Sequence, residues 1–255
     1  MSNSILNPIF SIAGSRNRLK TTESIFKKIE GVHGNQGSDH VITVQEILLK
    51  DGGIAVQGKK LFAGLNLKVK KGQKVLIMAP SGFGKTQLLY ALSGFRKFST
   101  GQYLVNNQEQ SPKTLQTAFA FIKQNPFIFD ESIRFNITMG QEYSDEEVQA
   151  AITGSALDDL ISEKGLNYVV GEDGKNLSGG QLQRIEIARG LITNRSFILA
   201  DEMTSALDNL TAEKVYQKMF ESDKTLIEVA HKVSKEELDR YNQVIHLDEL
   251  TSLDS

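Results

Sequence analysis

From Val41 onward, apolar positions gather into short, nearly continuous runs separated by stretches of helical period. The runs KVLIMA (74–79), FAFIKQ (119–124), SFILAD (196–201), KTLIEVAH (224–231) and QVIHLD (243–248) are too short and too uniformly apolar for amphipathic helices. They predict strands of a parallel sheet covered on both faces. VITVQEILL (41–49) and KLFAGLNLKV (60–69) have the mixed look of half-buried antiparallel strands, with KKGQ (70–73) as the turn that follows. SDEEVQAAITGSALDDLISE (144–163) predicts a helix capped by Ser144, with Glu147 reaching back to close a capping box. Ser234 and Glu237 repeat the device in SKEELDRY. The predicted class is α/β, with a mostly parallel sheet, an N-terminal antiparallel β subdomain and an α-helical subdomain over about 127–190.

Residues 1–40 differ in pattern. NRLKTTESIFKKIEG (17–31) carries Leu19, Ile25, Phe26 and Ile29 at helical intervals, and GVHGNQGSDH (31–40) is glycine-rich and polar, which predicts a helix and then a linker. The remaining residues, 41–255, predict one domain.

Composition narrows the choices. With 40% hydrophobic and 24% charged residues, 255 residues suit an ordinary globular unit. A net charge of −2 argues against a general nucleic-acid binder. The absence of cysteine removes disulfides and thiolate metal sites. No apolar run approaches the roughly 18 residues of a membrane span, and the first twenty residues do not follow a secretory-signal pattern, so the expectation is a soluble chain.

KVLIMAPSGFGKTQLL (74–89) reads as strand, glycine loop and helix start, close to the phosphate-loop pattern G-x-x-x-x-G-K-[ST] but with Ala79 in place of the first glycine. Gly82 and Gly84 let successive backbone N–H groups turn inward as an anion nest, and the following helix adds its positive end. Lys85 supplies a full charge for the β and γ phosphates, and the Thr86 hydroxyl is placed for Mg²⁺. Because Ala79 directly follows a strand, a negative φ is expected there, where a methyl group is nearly silent. Alone, such a corner also suits an ordinary strand–turn–helix connection.

Two further stretches add weight. ILADEMTSALD (198–208) ends an apolar strand on Asp201 and Glu202, one carboxylate suited to Mg²⁺ and the other to polarising water. LSGGQLQRIEIARGL (177–191) opens a helix at Ser178, Gly179 and Gly180, with an apolar stripe Leu182, Ile185, Ala188 and Leu191. Two glycines in a first turn cost helix stability with no packing gain evident in the sequence, so the helix start reads as a second anion-binding end.

LSGGQ joined to ILADE, with the glycine loop upstream, resembles the nucleotide-binding domain of ATP-binding-cassette (ABC) transporters, over about residues 41–250. The likeness extends to Gln124 in FIKQNPFIF (Q-loop), Asp208 in SALD (D-loop) and His231 in LIEVAH (switch histidine). It implies a P-loop NTPase core that binds ATP and Mg²⁺. Ala79, Ser81, Gly82, Phe83, Gly84, Lys85, Thr86 and Gln87 would contact nucleotide from one copy, and Ser178, Gly179, Gly180 and Gln181 from another. Thr86, Gln124 and Asp201 would serve the metal, and Glu202, His231 and Lys85 would act in hydrolysis.

VVGEDGKNLSGGQ (169–181) resembles the exporter pattern, and DEMTSALD lacks the proline usual in importer ATPases. ILNPIFSIAGSRNRLKTTESIFKKIEG (5–31) resembles the end of an exporter's last membrane helix and its linker, implying a domain fragment or a gene without its membrane part. The implied partners are a second ABC ATPase domain, identical or not, and a membrane-spanning domain at the cytoplasmic face of the cell membrane; no nucleic acid is implied. Other readings of the likeness are a separately encoded transporter ATPase, a soluble ABC-type ATPase acting on nucleic acid or ribosomes, or a non-hydrolysing clamp. Two departures stand out. Residues 47–58 hold no aromatic to stack on adenine, leaving Ile54 or Val56, and Gln87 replaces a hydroxyl residue beside the α-phosphate.

Overall fold

The computed structural model describes residues 42–231, 233 and 235–250. The helix and linker expected within 1–40, and the capping role of Ser234, lie outside the described residues. Two sheets carry the fold. The first has the order β2-β1-β4, from β1 (Glu46–Val56), β2 (Lys59–Lys70) and β4 (Thr100–Val105), all antiparallel. The second is parallel throughout, in the order β5-β6-β7-β3-β8. Its strands are β3 (Lys74–Met78), β5 (Phe119–Ile122), β6 (Phe197–Asp201), β7 (Thr225–Ala230) and β8 (Gln243–His246). The predicted mixed class with a parallel sheet, an antiparallel sheet and helices is the one observed.

Alternation along the central strands divides the interior. Val75, Ile77, Phe197, Leu199, Ile227 and Val229 face the antiparallel sheet and α1 (Lys85–Leu92). Leu76, Ile198, Ala200 and Leu226 face the other way, onto α7 (Asn209–Glu221). Each fully buried aliphatic side chain of this kind contributes about 1.5–3 kcal/mol. A third cluster (Ile133, Ile137, Val148, Ile152, Leu160, Ile185) joins four helices. They are α3 (Ile133–Thr138), α4 (Asp145–Gly154), α5 (Asp158–Lys164) and α6 (Gly179–Ile192).

Three local expectations are revised. The stretch 144–163 is two helices, because Ala156 takes a left-handed φ of 56° between α4 and α5. VITVQEILL enters the sheet only at Glu46, and the strand continues through Gly52 and Gly53 to Val56 with register shifts. Helix α6 is buried almost all round, with Gln183, Arg184 and Glu186 inside and Ile187 on the face opposite Ile185, so one apolar stripe understates it. The Ser144 capping box forms as predicted, with Ser144 N–H donating to Glu147 at 2.9 Å and Glu147 N–H to Ser144 Oγ at 3.2 Å.

Candidate active site

The strand order brings four chain segments to one edge. Because the sheet is parallel, β5, β6, β7 and β3 all end on the same side, in that spatial order. Just past their ends come Gln124, Asp201–Glu202, His231 and the 79–84 loop. Sequence positions 79 to 231 thus become neighbours through register alone, with Met78 opposite Ala230 and Asp201 opposite Val229. A ligand crevice at the carboxyl edge of a parallel sheet is the general outcome of this topology.

The loop itself has the conformation its glycines allow. Gly82 and Gly84 hold φ of 84° and 87°, while Ala79 is absent from the residues of positive φ, as expected at a strand end. Ala79 is buried, so its methyl group lies in the core rather than in the loop's mouth. At Gly82 a Cβ would meet nothing within 4 Å, so side-chain bulk there would project only into the open loop. Helix α1 starts straight after Gly84 with no side-chain cap and no acid in its first turn. Its positive end is answered instead by nothing but Lys85, a buried cation, an arrangement that favours an added anion. The Lys85 ammonium donates to the carbonyls of Ala79 (2.8 Å) and Pro80 (3.3 Å).

Two side-chain pairs bridge the segments. Thr86 Oγ1 donates to Asp201 Oδ2 at 2.7 Å, and Gln124 Nε2 donates to Glu202 Oε2 at 2.5 Å. Burial pushes the Asp201 carboxyl up from its ordinary value, against the opposing pull of the Thr86 hydroxyl and the Lys85 charge. Among the described residues no three His, Cys, Asp or Glu side chains converge as an all-protein metal cage. The donor set does fit Mg²⁺ in its usual nucleotide role, in which one carboxylate and a hydroxyl act alongside phosphate oxygens. Gln124 belongs to Glu202 here rather than to the Thr86–Asp201 pair.

Glu202 is held in an unusual backbone conformation, with a left-handed φ of 49°. Its N–H donates to Val229 O at 2.9 Å, and its carbonyl accepts from Gln183 Nε2 at 3.0 Å. Gln183 Oε1 also accepts from Ala206 N–H at 2.7 Å, so α6 fastens the whole turn after β6. Helix α6 anchors the segment after β5 as well, since Glu186 accepts from Lys123 N–H and Arg189 donates to Phe127 O. Gln183, Glu186 and Arg189 are not singled out by the sequence; polar residues recurring between the apolar positions of this helix are the available signal.

The start of α6 is closed by its own residues. Ser178 caps α6 by accepting from Gln181 N–H at 3.2 Å, and Gln181 Oε1 accepts from Ser178 N–H at 2.8 Å. Among the described residues no hydrogen bond joins Ser178, Gly179, Gly180 or Gln181 to the phosphate loop. A packing reason does exist for Gly180, contrary to the sequence reading: a Cβ there would sit 3.0 Å from Ala206 O. At Gly179 a Cβ would meet nothing within 4 Å. Asp208 caps α7 by accepting from the Leu210 and Thr211 amides, and the Thr211 hydroxyl, followed by the Thr211 amide, holds its carboxyl below the usual value. His231 is exposed, one residue beyond β7. Gln87 Oε1 accepts from Arg96, which orients the amide; Ser81 is exposed and Phe83 half-buried. Ile54 is fully buried in the core and Val56 only partly, which leaves Val56 the more accessible of the two.

A parallel α/β sheet with a glycine loop, a lysine at a helix start and paired acids at the end of β6, two strands away, defines the phosphate-loop nucleotide-binding class. Within that class the ABC transporter family pattern matches residues 62–205, more than half of the sequence, and the chain belongs to that ATPase family. It is 35% identical over 225 residues to an ATP-dependent lipid A-core flippase of Francisella tularensis, covering 84% of this chain and 37% of that protein. An ATM1-type heavy metal exporter of Novosphingobium aromaticivorans is 36% identical over 184 residues, 69% of this chain and 30% of the exporter. The solved structure of a bacterial Atm1-family ABC exporter with ATP bound superposes with a TM-score of 0.74 at 30% identity, covering 81% of this chain and 38% of that one. The chain thus corresponds to about a third of these relatives' length, between 30% and 38%. No helix among the described residues is long and apolar enough to cross a membrane.

Proposed function

We propose that this chain is the ATP-binding and ATP-hydrolysing motor domain of an ABC exporter, pairing head-to-tail with a second such domain around two ATP to drive transport across a membrane. The observation that carries the reading is the convergence of Lys85, the Thr86–Asp201 pair and the Gln124–Glu202 pair along one sheet edge. No hydrogen bond among the described residues joins the α6 start to the phosphate loop, so each chain would offer two incomplete anion sites, and isologous pairing would complete both.

Lys85 and the loop amides would bind the β and γ phosphates, and Gln87 would offer its free Nε2 to the α-phosphate. Thr86 and Asp201, with Gln124 nearby, would hold Mg²⁺, whose chemistry there is to neutralise charge on the β and γ oxygens. Glu202, fixed by Gln124, would orient or deprotonate the attacking water, and His231 would grip the γ-phosphate. Ser178 and the Gly179 and Gly180 amides of the partner would close the cage. Residues 1–40 would be the end of a membrane helix and its linker, placing the domain at the cytoplasmic face. The relatives' names include a flippase and a metal exporter, and direction outward is the reading taken here.

Nucleotide titration of the parent and Lys85→Ala tests the binding half directly. Saturable binding that disappears in Lys85→Ala is expected; equal binding by both proteins would contradict it.

A further inference from the structure

Beneath the turn that carries Glu202 lies a buried polar cluster for which the proposed reaction has no direct use. Glu228, in the middle of β7, is 1% exposed, among Leu76, Ala200 and Leu226 of the core. Its Oε1 accepts from the Tyr216 hydroxyl at 2.9 Å and its Oε2 from the Tyr241 hydroxyl at 2.7 Å. Burial and the Glu228 charge push both tyrosines upward, so they stay protonated and donate. Tyr216 in turn accepts from Thr204 Oγ1 at 3.2 Å, and the Met203 backbone N–H further stabilises the Glu228 carboxylate. Met203 and Thr204 are the two residues that follow Glu202.

The cluster therefore works on the same turn that Gln183 holds from the other side. The turn is thus held at two points, the Glu202 carbonyl by Gln183 Nε2 and the Thr204 hydroxyl by Tyr216. A left-handed non-glycine residue persists only where its surroundings over-determine it. We propose that Glu228 is a positioning residue: through Tyr216 and Thr204 it locks the 202–204 turn so that Glu202 keeps the geometry needed to meet Gln124 and water. This rests on the reading of Glu202 as the hydrolytic carboxylate, although the locking of the turn can be measured without it.

The ionised carboxyl accepts from both tyrosines at once. A protonated one turns one oxygen into a hydroxyl, a weaker acceptor, which loosens its hold on the tyrosine there. The groups facing it are Tyr216 from α7, Tyr241 from the segment before β8 and Glu237 of α8 (Lys235–Leu238), with the Thr204 hydroxyl one hydrogen bond further on at Tyr216, while β3 and β6 present Leu76 and Ala200. Burial, with a smaller push from Glu237, raises Glu228 to about 7 against the pull of the two tyrosines.

The test is amide hydrogen exchange of Met203–Leu207 in the full chain without nucleotide, alongside ATP turnover. Tyr216→Phe, which deletes one hydroxyl, is expected to lower protection of these amides by roughly tenfold while β7 amides hold. The same variant is expected to lower kcat with nucleotide affinity unchanged. Glu228→Gln is expected to abolish the loss of protection that the parent shows as pH falls below about 7. Tyr241→Phe, which touches the carboxyl but not the turn, is expected to move that loss to higher pH. Unchanged protection at Met203–Leu207 in both Tyr216→Phe and Glu228→Gln would overturn the proposal. A parent that shows these protection changes yet hydrolyses no ATP would remove the ATPase reading and leave the locked turn standing.

Discussion

Thr86 and Asp201 stand 115 positions apart in the chain and share a 2.7 Å hydrogen bond that ties the phosphate-loop helix to the carboxyl end of β6. The pair makes a distinction between fold and chemistry testable. Asp201→Asn keeps an acceptor for Thr86 but removes a buried negative charge. Thermal stability is expected to hold or rise, since burial disfavours that charge. Affinity for nucleotide in the presence of Mg²⁺ is expected to fall roughly ten- to hundredfold, the loss of one strong charged contact. Titration with and without Mg²⁺ separates the two effects, and equal losses in both would remove Asp201 from metal binding.

Glu202→Gln preserves the shape of the turn and a partner for Gln124 while removing the basic carboxylate. Turnover is expected to drop by about two to four orders of magnitude with nucleotide binding retained. Steady-state phosphate release measures it. A variant that hydrolyses at the parent rate would take Glu202 out of the water-activating role.

Gly179 and Gly180 separate packing from ligand contact. Adding a methyl at Gly179 meets no atom within 4 Å, so Gly179→Ala is expected to stabilise the single chain by about 0.5–1 kcal/mol, the ordinary helix gain over glycine. Gly180→Ala places its Cβ 3.0 Å from Ala206 O and is expected to gain less or to destabilise. Thermal melts rank the two. If a second copy's nucleotide approaches this helix start, Gly179→Ala will also impair ATP-driven association, a cost no single-chain contact explains.

Stability is expected to depend on pH through Glu228. Its folded value, about 7, lies above the ordinary 4.5, so the folded state binds the proton more tightly than the unfolded one. The contribution is complete below pH 4.5 and lost as pH rises through about 7, on the order of 3 kcal/mol in all. Denaturant melts at pH 5 and pH 8 should show this fall, and Glu228→Gln should flatten it. A fall of equal size in the variant would assign it to other groups, Asp201 among them, whose raised carboxyl acts with the same sign.

The parts of this structure legible in the sequence are those decided locally. The Ser144 capping box and the five short apolar strands follow from residue types within a few positions. The glycine loop at 79–84 and the acids Asp201 and Glu202 at a strand end follow from residue types at fixed spacing, whereas their meeting along one edge follows from the strand order. The edge strand β4, TGQYLV, was not, because most of its positions are exposed or half-buried and give no alternation. The break at Ala156 lies in a residue with no preference for a left-handed φ, so packing of Leu157 and Leu160 against the helical cluster decides it. Glu228 looked like one acid in an apolar strand. Its meaning depends on Tyr216 and Tyr241, which only the fold brings to it.

A motor of this kind requires that two copies close around ATP, and light scattering of Glu202→Gln with Mg²⁺ and ATP reads that closure. The mass is expected to rise from that of the 28.2 kDa chain to twice that value when ATP is added, and to stay single in Lys85→Ala. A Glu202→Gln protein that binds ATP with parental affinity yet remains a single chain at saturating nucleotide would contradict it.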